Sequence, residues 1–162
     1  MFASITDNDL KILSKRMRIK LIDVVSKDTL KGLTPRDGSY IINLQDNKDG
    51  NGTHWCCCYL SGRSAMYYDS FGKIMPPDVL KFLRRKCNHI VYSMDQIQDL
   101  MSDACGYYCL AVLHFFTKFA RLKDFGLGIN KFNQPFNTEN TKGNEQVLSD
   151  YFVKNKINIL IV

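Results

Sequence analysis

No stretch of this chain approaches the roughly 20 consecutive apolar residues that a membrane-spanning helix needs, so no partnership with a membrane is expected. Nor do the first residues, MFASITDNDL, hold the apolar core of a signal peptide, because they turn polar from Thr6 onward. The expectation is a protein that is not secreted and folds in a reducing compartment. Internal repeats, low-complexity tracts and signs of a second domain are lacking too, which leaves one domain over residues 1–162. Paired C-x-x-C units are also missing. Cys56-x-Cys58 and Cys105-x3-Cys109 offer four thiolates, but not at the spacing of a structural zinc site, and no metal or small-molecule cofactor is expected. Histidine is scarce, with three residues, so a role that needs an imidazole has few candidates.

What is present is a chain long enough to bury a core without staples, with 45% hydrophobic residues and well-spread aromatics. Of six cysteines, Cys56, Cys57 and Cys58 are consecutive in an apolar, strand-like run. That placement suits buried thiols and not a disulfide framework. The net charge of +6, from 22 Lys and Arg against 16 Asp and Glu, permits a polyanionic partner without requiring one.

Thr6 to Asp9 reads as a capping-box variant that opens a helix with Leu10, Leu13 and Met17 on one face. Ile19 to Val25 reads as an apolar connection, and Ser26 to Leu30 as a short second helix. Ser39 to Leu44 is the first expected strand, followed by turn material from Gln45 to Thr53. His54 to Leu60 and Ala65 to Phe71, joined by Ser61-Gly62-Arg63, read as an antiparallel hairpin. Pro76-Pro77 opens a helix through Lys86, and His89 to Ser93 is a short strand. Gly126 to Gly143 reads as an extended surface loop, Gly143 to Lys154 as a last helix, and the apolar tail INILIV is expected to dock.

The centre of this order is the stretch from Gln98 to Phe116, QDLMSDACGYYCLAVLHFF. It reads as a loop that enters a helix at Ser102-Asp103, both good N-caps, with Cys105 in the first turn. The helix is apolar on every side and so belongs in the middle of the molecule. A cysteine at its N-terminus sits in the positive end of the peptide dipoles, which favours a thiolate; equally, it is a small residue suited to a core. A thiolate nucleophile needs a nearby base, an orienting acid and donors for an oxyanion. His54 opens a strand beside Trp55 and suits the base, whereas His114 lies inside the apolar helix and His89 gives no catalytic signal. Asp69 ends the partner strand, near His54 in the hairpin, where it either orients the imidazole or caps the Ser70-Phe71-Gly72 turn. Gln98, just ahead of the helix, is an oxyanion donor or an ordinary loop residue, and Gln96 is its less well-spaced rival.

Taken together, His54-Trp55, Tyr68-Asp69-Ser70-Phe71-Gly72, Gln98 and Ala104-Cys105-Gly106 resemble the adenovirus-type cysteine proteases, the adenain family. That group includes maturation proteases of large DNA viruses and virophages and is related to the SUMO and ubiquitin-like-protein proteases. The resemblance runs from Gly38 to Phe116, in the order His, acid, Gln, Cys, which is permuted relative to papain. It implies an α+β, papain-like or adenain-like fold, with a small mixed sheet packed on a central helix and flanked by further helices. It also implies Cys105 as nucleophile, His54 as base, Asp69 as orienting acid, Gln98 as oxyanion donor and Trp55 flanking the site. Adenain carries Glu where this chain has Asp69; Asp is usual in the SUMO-protease branch.

The family further implies two activators, DNA and a viral peptide in disulfide linkage, for which Cys87 stands near the expected position. The implied activity is endoproteolysis of viral capsid and core precursors at Gly-Gly-like or Gly-X-Gly-like sites, by a monomer in the virion or the infected cell. The alternatives are a deubiquitinase or deSUMOylase using the same machinery, and a non-catalytic DNA- or capsid-binding module.

Overall fold

The computed structural model describes residues 2–45, 54–118 and 123–161. Its centre is a five-stranded sheet in simple sequence order: β1 (Leu21–Ser26), β2 (Gly38–Asn43), β3 (Trp55–Ser61), β4 (Ser64–Tyr68) and β5 (His89–Tyr92). The two inner pairings, β2 with β3 and β3 with β4, are antiparallel, and each outer strand joins in parallel. The sheet is therefore mixed. Helices complete the α+β architecture: α1 (Asp7–Arg16), α2 (Pro77–Arg84), α3 (Cys105–Lys118), α4 (Phe125–Asn133) and α5 (Asn144–Lys154), with short 3₁₀ turns at Lys27–Gly32 and Thr141–Gly143.

Strand alternation divides the interior in two. Ile41, Trp55, Cys57, Met66 and Tyr68 point to one face, where α1, α3, α4 and α5 pack. Tyr40, Ile42, Cys56, Cys58, Leu60 and Tyr67 point to the other, against Val79, Phe82 and Leu83 of α2. The three consecutive cysteines thus fall on alternate faces. Cys56 and Cys58 lie across the sheet from Cys105 and Cys109, so these four thiols do not converge. On the larger face α3 is buried from Cys105 to Leu113, as an all-apolar helix must be. Thr6 closes the expected capping box on α1: its hydroxyl accepts from the Asp9 amide and the Asp9 carboxylate from the Thr6 amide, each at 3.1 Å.

The fold corrects three local expectations. Residues 19–25 are not merely a connection, since Leu21–Ser26 is the edge strand β1. Its β-branched Ile22, Val24 and Val25 suit a strand, but the hydrogen bonds that make it one come from distant β2. The supposed loop at 126–143 holds α4. Its two glycines are poor helix formers, yet Asp124 caps the Leu127 amide at 3.0 Å, and Phe125, Ile129 and Phe132 share one buried face. Finally, Ser102 and Asp103 precede the start of α3 without capping it: the Ser102 hydroxyl accepts from Ala104 and donates to Glu145 of α5. The turn expected at 45–53 lies, from residue 46 on, outside the described residues.

Candidate active site

The β3–β4 register pairs Cys57 with Tyr68, so one step further sets Asp69 across from Cys56, diagonal to His54. His54 itself stands just before β3, and its carbonyl accepts from the Leu44 amide beyond the end of β2 at 3.0 Å. The imidazole Nε2 meets Asp69 Oδ1 at 2.9 Å, and the same carboxylate oxygen accepts from the Phe71 amide at 2.8 Å. Asp69 is completely buried, while the His54 side chain keeps 18% of its surface exposed. The Phe71 ring lies over the imidazole, with centroids 4.8 Å apart. Asp69 therefore both caps the turn and holds His54; the two sequence readings are not alternatives.

Cys105 begins α3 and is buried. Its sulfur accepts from the Trp55 backbone amide at 3.4 Å, so the residue next to His54 fixes the thiol's position. Trp55 is anchored in turn by its indole N–H on the Ile5 carbonyl at 3.3 Å. The approach of α3 to β3 requires Gly106, where a side chain would run into Ile5 and meet Leu10 and Trp55 at 3.3 and 3.4 Å. With Nε2 on Asp69, Nδ1 is the nitrogen left for the sulfur. That nitrogen makes no hydrogen bond among the described residues. Burial alone lowers the pKa of His54, but the Asp69 hydrogen bond and then the Cys105 contact outweigh it and raise it to about 9. The buried Asp69 carboxylate thus favours the charged form of the ring.

Gln98 is fully buried in the loop before α3. Its Nε2 donates to the Ser102 carbonyl at 2.8 Å, and its Oε1 accepts from the Ser70 hydroxyl at 2.5 Å. Gln96 instead donates to the Gln98 carbonyl at 3.2 Å. Cys87 lies apart from this group, in the core on the α2 face, and burial pushes its thiol above the usual range. His114 bonds the Tyr151 hydroxyl at 2.8 Å, and burial holds it below the usual imidazole range.

Two residues in contact with this group went unassigned in the sequence: Ser70, which binds Gln98, and Phe71, which covers His54. Both follow Asp69 directly. Where a strand gives way to a turn, alternation ends and consecutive side chains can converge; that was the available signal. Gly72 completes the turn at φ +67, with its amide on the Asp69 carbonyl at 2.8 Å. A Cβ there would come within 2.6 Å of the Met94 carbonyl, so only glycine brings the turn against the loop that carries Gln98.

No protein-family model matches the chain, and no curated protein sequence does. Among solved structures, the pS273R protease of ASFV aligns with 80% of this chain and 66% of its own, at 14% identity and a TM-score of 0.46. ChlaDub1 from Chlamydia trachomatis aligns with 94% of this chain and 79% of its own, at 16% identity and a TM-score of 0.46. The SUMO protease Ulp1, with its catalytic cysteine oxidised to a sulfinic acid, aligns with 91% and 78% respectively, at 14% identity and a TM-score of 0.45. Each is a distant likeness of shape.

Proposed function

We propose that this chain is a cysteine peptidase with Cys105 as nucleophile, His54 as acid–base, Asp69 as the acid that orients it and Gln98 as oxyanion donor. One observation carries the reading: a buried carboxylate holds the imidazole of His54, and the backbone amide of the next residue, Trp55, holds the thiol at the head of a buried helix. In the proposed cycle the Cys105 thiolate attacks the scissile carbonyl, and His54 Nδ1–H gives its proton to the departing amine. Asp69 stabilises the imidazolium until then, and the neutral ring afterwards takes a proton from the water that hydrolyses the thioester. The oxyanion would meet the backbone N–H of Cys105 and the amide proton of Gln98 that Ser102 does not use. Trp55 backs the sulfur and excludes water from behind it.

On the family resemblance, we further propose that the substrates are viral capsid or core precursors cut at Gly-Gly-like or Gly-X-Gly-like sites, in the virion or the infected cell. Net charge supports DNA as an activator. A viral peptide could pair with Cys87 only if the turn between α2 and β5 opens to expose that thiol. The test is cleavage of a fluorogenic peptide ending in Leu-X-Gly-Gly by wild type and Cys105→Ala, each with and without DNA. Wild-type turnover that vanishes in the variant is expected; turnover that survives it overturns the mechanism. Ubiquitin and SUMO fusions in the same assay separate precursor processing from deconjugation.

A further inference from the structure

The Gln98 amide is held from both ends. Ser102 offers a carbonyl, which can only accept, so Nε2 and not Oε1 must face it. The Ser70 hydroxyl donates to Oε1 at 2.5 Å. Backbone contacts repeat the link, since the Ser70 carbonyl accepts from the amides of Ile97 and Gln98 at 2.9 and 3.0 Å. Ser70 is buried, so this hydroxyl has no solvent in exchange for Gln98. With Oε1 on Ser70 and one N–H on Ser102, the direction of the second N–H is fixed by the planarity of the amide.

We propose that Ser70 is a positioning residue for the oxyanion donor: it sets the rotation of the Gln98 amide and so aims its second N–H. This rests on the peptidase reading of the site. Asp69, Ser70 and Phe71 then form one element in which neighbouring residues serve different partners, Asp69 and Phe71 the imidazole and Ser70 the amide. Without the Ser70 hydroxyl, Oε1 is a buried acceptor with no donor, and the amide turns away to find one. The loss falls on the transition state, because an oxyanion donor is aimed at charge that only develops there.

The experiment compares wild type, Ser70→Ala, Ser70→Thr, Gln98→Ala and the Ser70→Ala/Gln98→Ala double variant in peptide cleavage, alkylation of Cys105 by iodoacetamide across pH, and side-chain amide NMR. Alkylation needs the thiolate but no oxyanion hole. Ser70→Ala is expected to lower kcat about 10- to 100-fold with KM nearly unchanged, to add little to Gln98→Ala, and to leave the alkylation profile in place. Ser70→Thr, which keeps the hydroxyl, should recover most of the loss. A kcat within twofold of wild type, or an alkylation profile that falls with it, overturns the proposal and leaves the peptidase reading standing. If wild type cleaves nothing, that reading fails, and the NMR still decides the role of Ser70. Gln98 side-chain amide resonances that do not move or exchange faster in Ser70→Ala overturn it. The same spectra serve if the added methyl of Ser70→Thr prevents folding.

Discussion

In the proposed cycle His54 is the residue on which the chemistry turns, and its charge makes that mechanism testable by pH. With a pKa of about 9, the imidazolium is lost only as pH rises through that value, so kcat/KM should fall on the alkaline side near pH 9. Asp69→Asn removes the hydrogen-bonded carboxylate that contributes most to the raised value. The alkaline limb should then move to lower pH, and kcat should drop about 100- to 10,000-fold. The same raised value also bears on stability. Since the folded pKa exceeds the unfolded value near 6.5, the His54 contribution is complete below that pH and disappears as pH climbs through about 9. Melting temperatures measured across that window should fall in wild type and stay flatter in Asp69→Asn.

At the scale of elements, the loop from Ser93 to Ala104 is held in place by α4 and α5. Asn133, at the end of α4, donates to Ser93 and Asp95 at 3.0 and 3.1 Å and accepts from Tyr68 at 2.6 Å. Asn144, at the start of α5, donates to the Ile97 carbonyl at 2.8 Å, and Glu145 accepts from Ser102 at 2.5 Å. This brace fixes the residues on either side of Gln98. Replacing Asn133 by Ala leaves the buried Tyr68 hydroxyl without its acceptor and should cost about 1–3 kcal/mol in denaturant melts. Activity should fall further than that loss of folded protein accounts for, because the loop loses its anchor. Gly106→Ala tests the opposite side of the site. Its methyl would press on Ile5, and the resulting shift of α3 from β3 should lengthen the Trp55–Cys105 contact and slow alkylation of the thiol.

Across the whole molecule the two ends of the chain are joined on the surface of the larger core. Arg16 of α1 donates to the carbonyls of Asn158 and Leu160 at 2.5 and 2.8 Å, and Ile157 and Ile159 are partly buried against that core. The apolar tail, expected to dock, does so only in part: Ile157 and Ile159 are partly buried, while Leu160 and Ile161 are exposed. Deleting the chain from Ile157 onward should lower the melting temperature, and Arg16→Ala should account for part of the effect. Net charge of +6 belongs to this scale as well. If DNA is an activator, its effect must fade with added salt as counterion release weakens, whereas basal cleavage should change little. Activation that ignores salt would count against a phosphate-backbone contact.

Local patterns in the chain determined the hairpin, the buried helix with its leading cysteine, and the order of histidine, acid, glutamine and cysteine. Each depends on residues close in sequence, whose periodicity and turn chemistry are visible in one dimension. Tertiary structure alone decided the rest. β1 exists because β2 supplies its hydrogen bonds, and α4 because three aromatic and aliphatic side chains outweigh two glycines. The face of the sheet taken by each of Cys56, Cys57 and Cys58 followed from pleat direction, which put Cys56 and Cys58 across the sheet from Cys105, while the packing of α2 on that face placed Cys87 there. The link from Ser70 to Gln98 spans residues far apart in sequence, and no periodicity records a contact made where a strand ends and a distant loop packs against it.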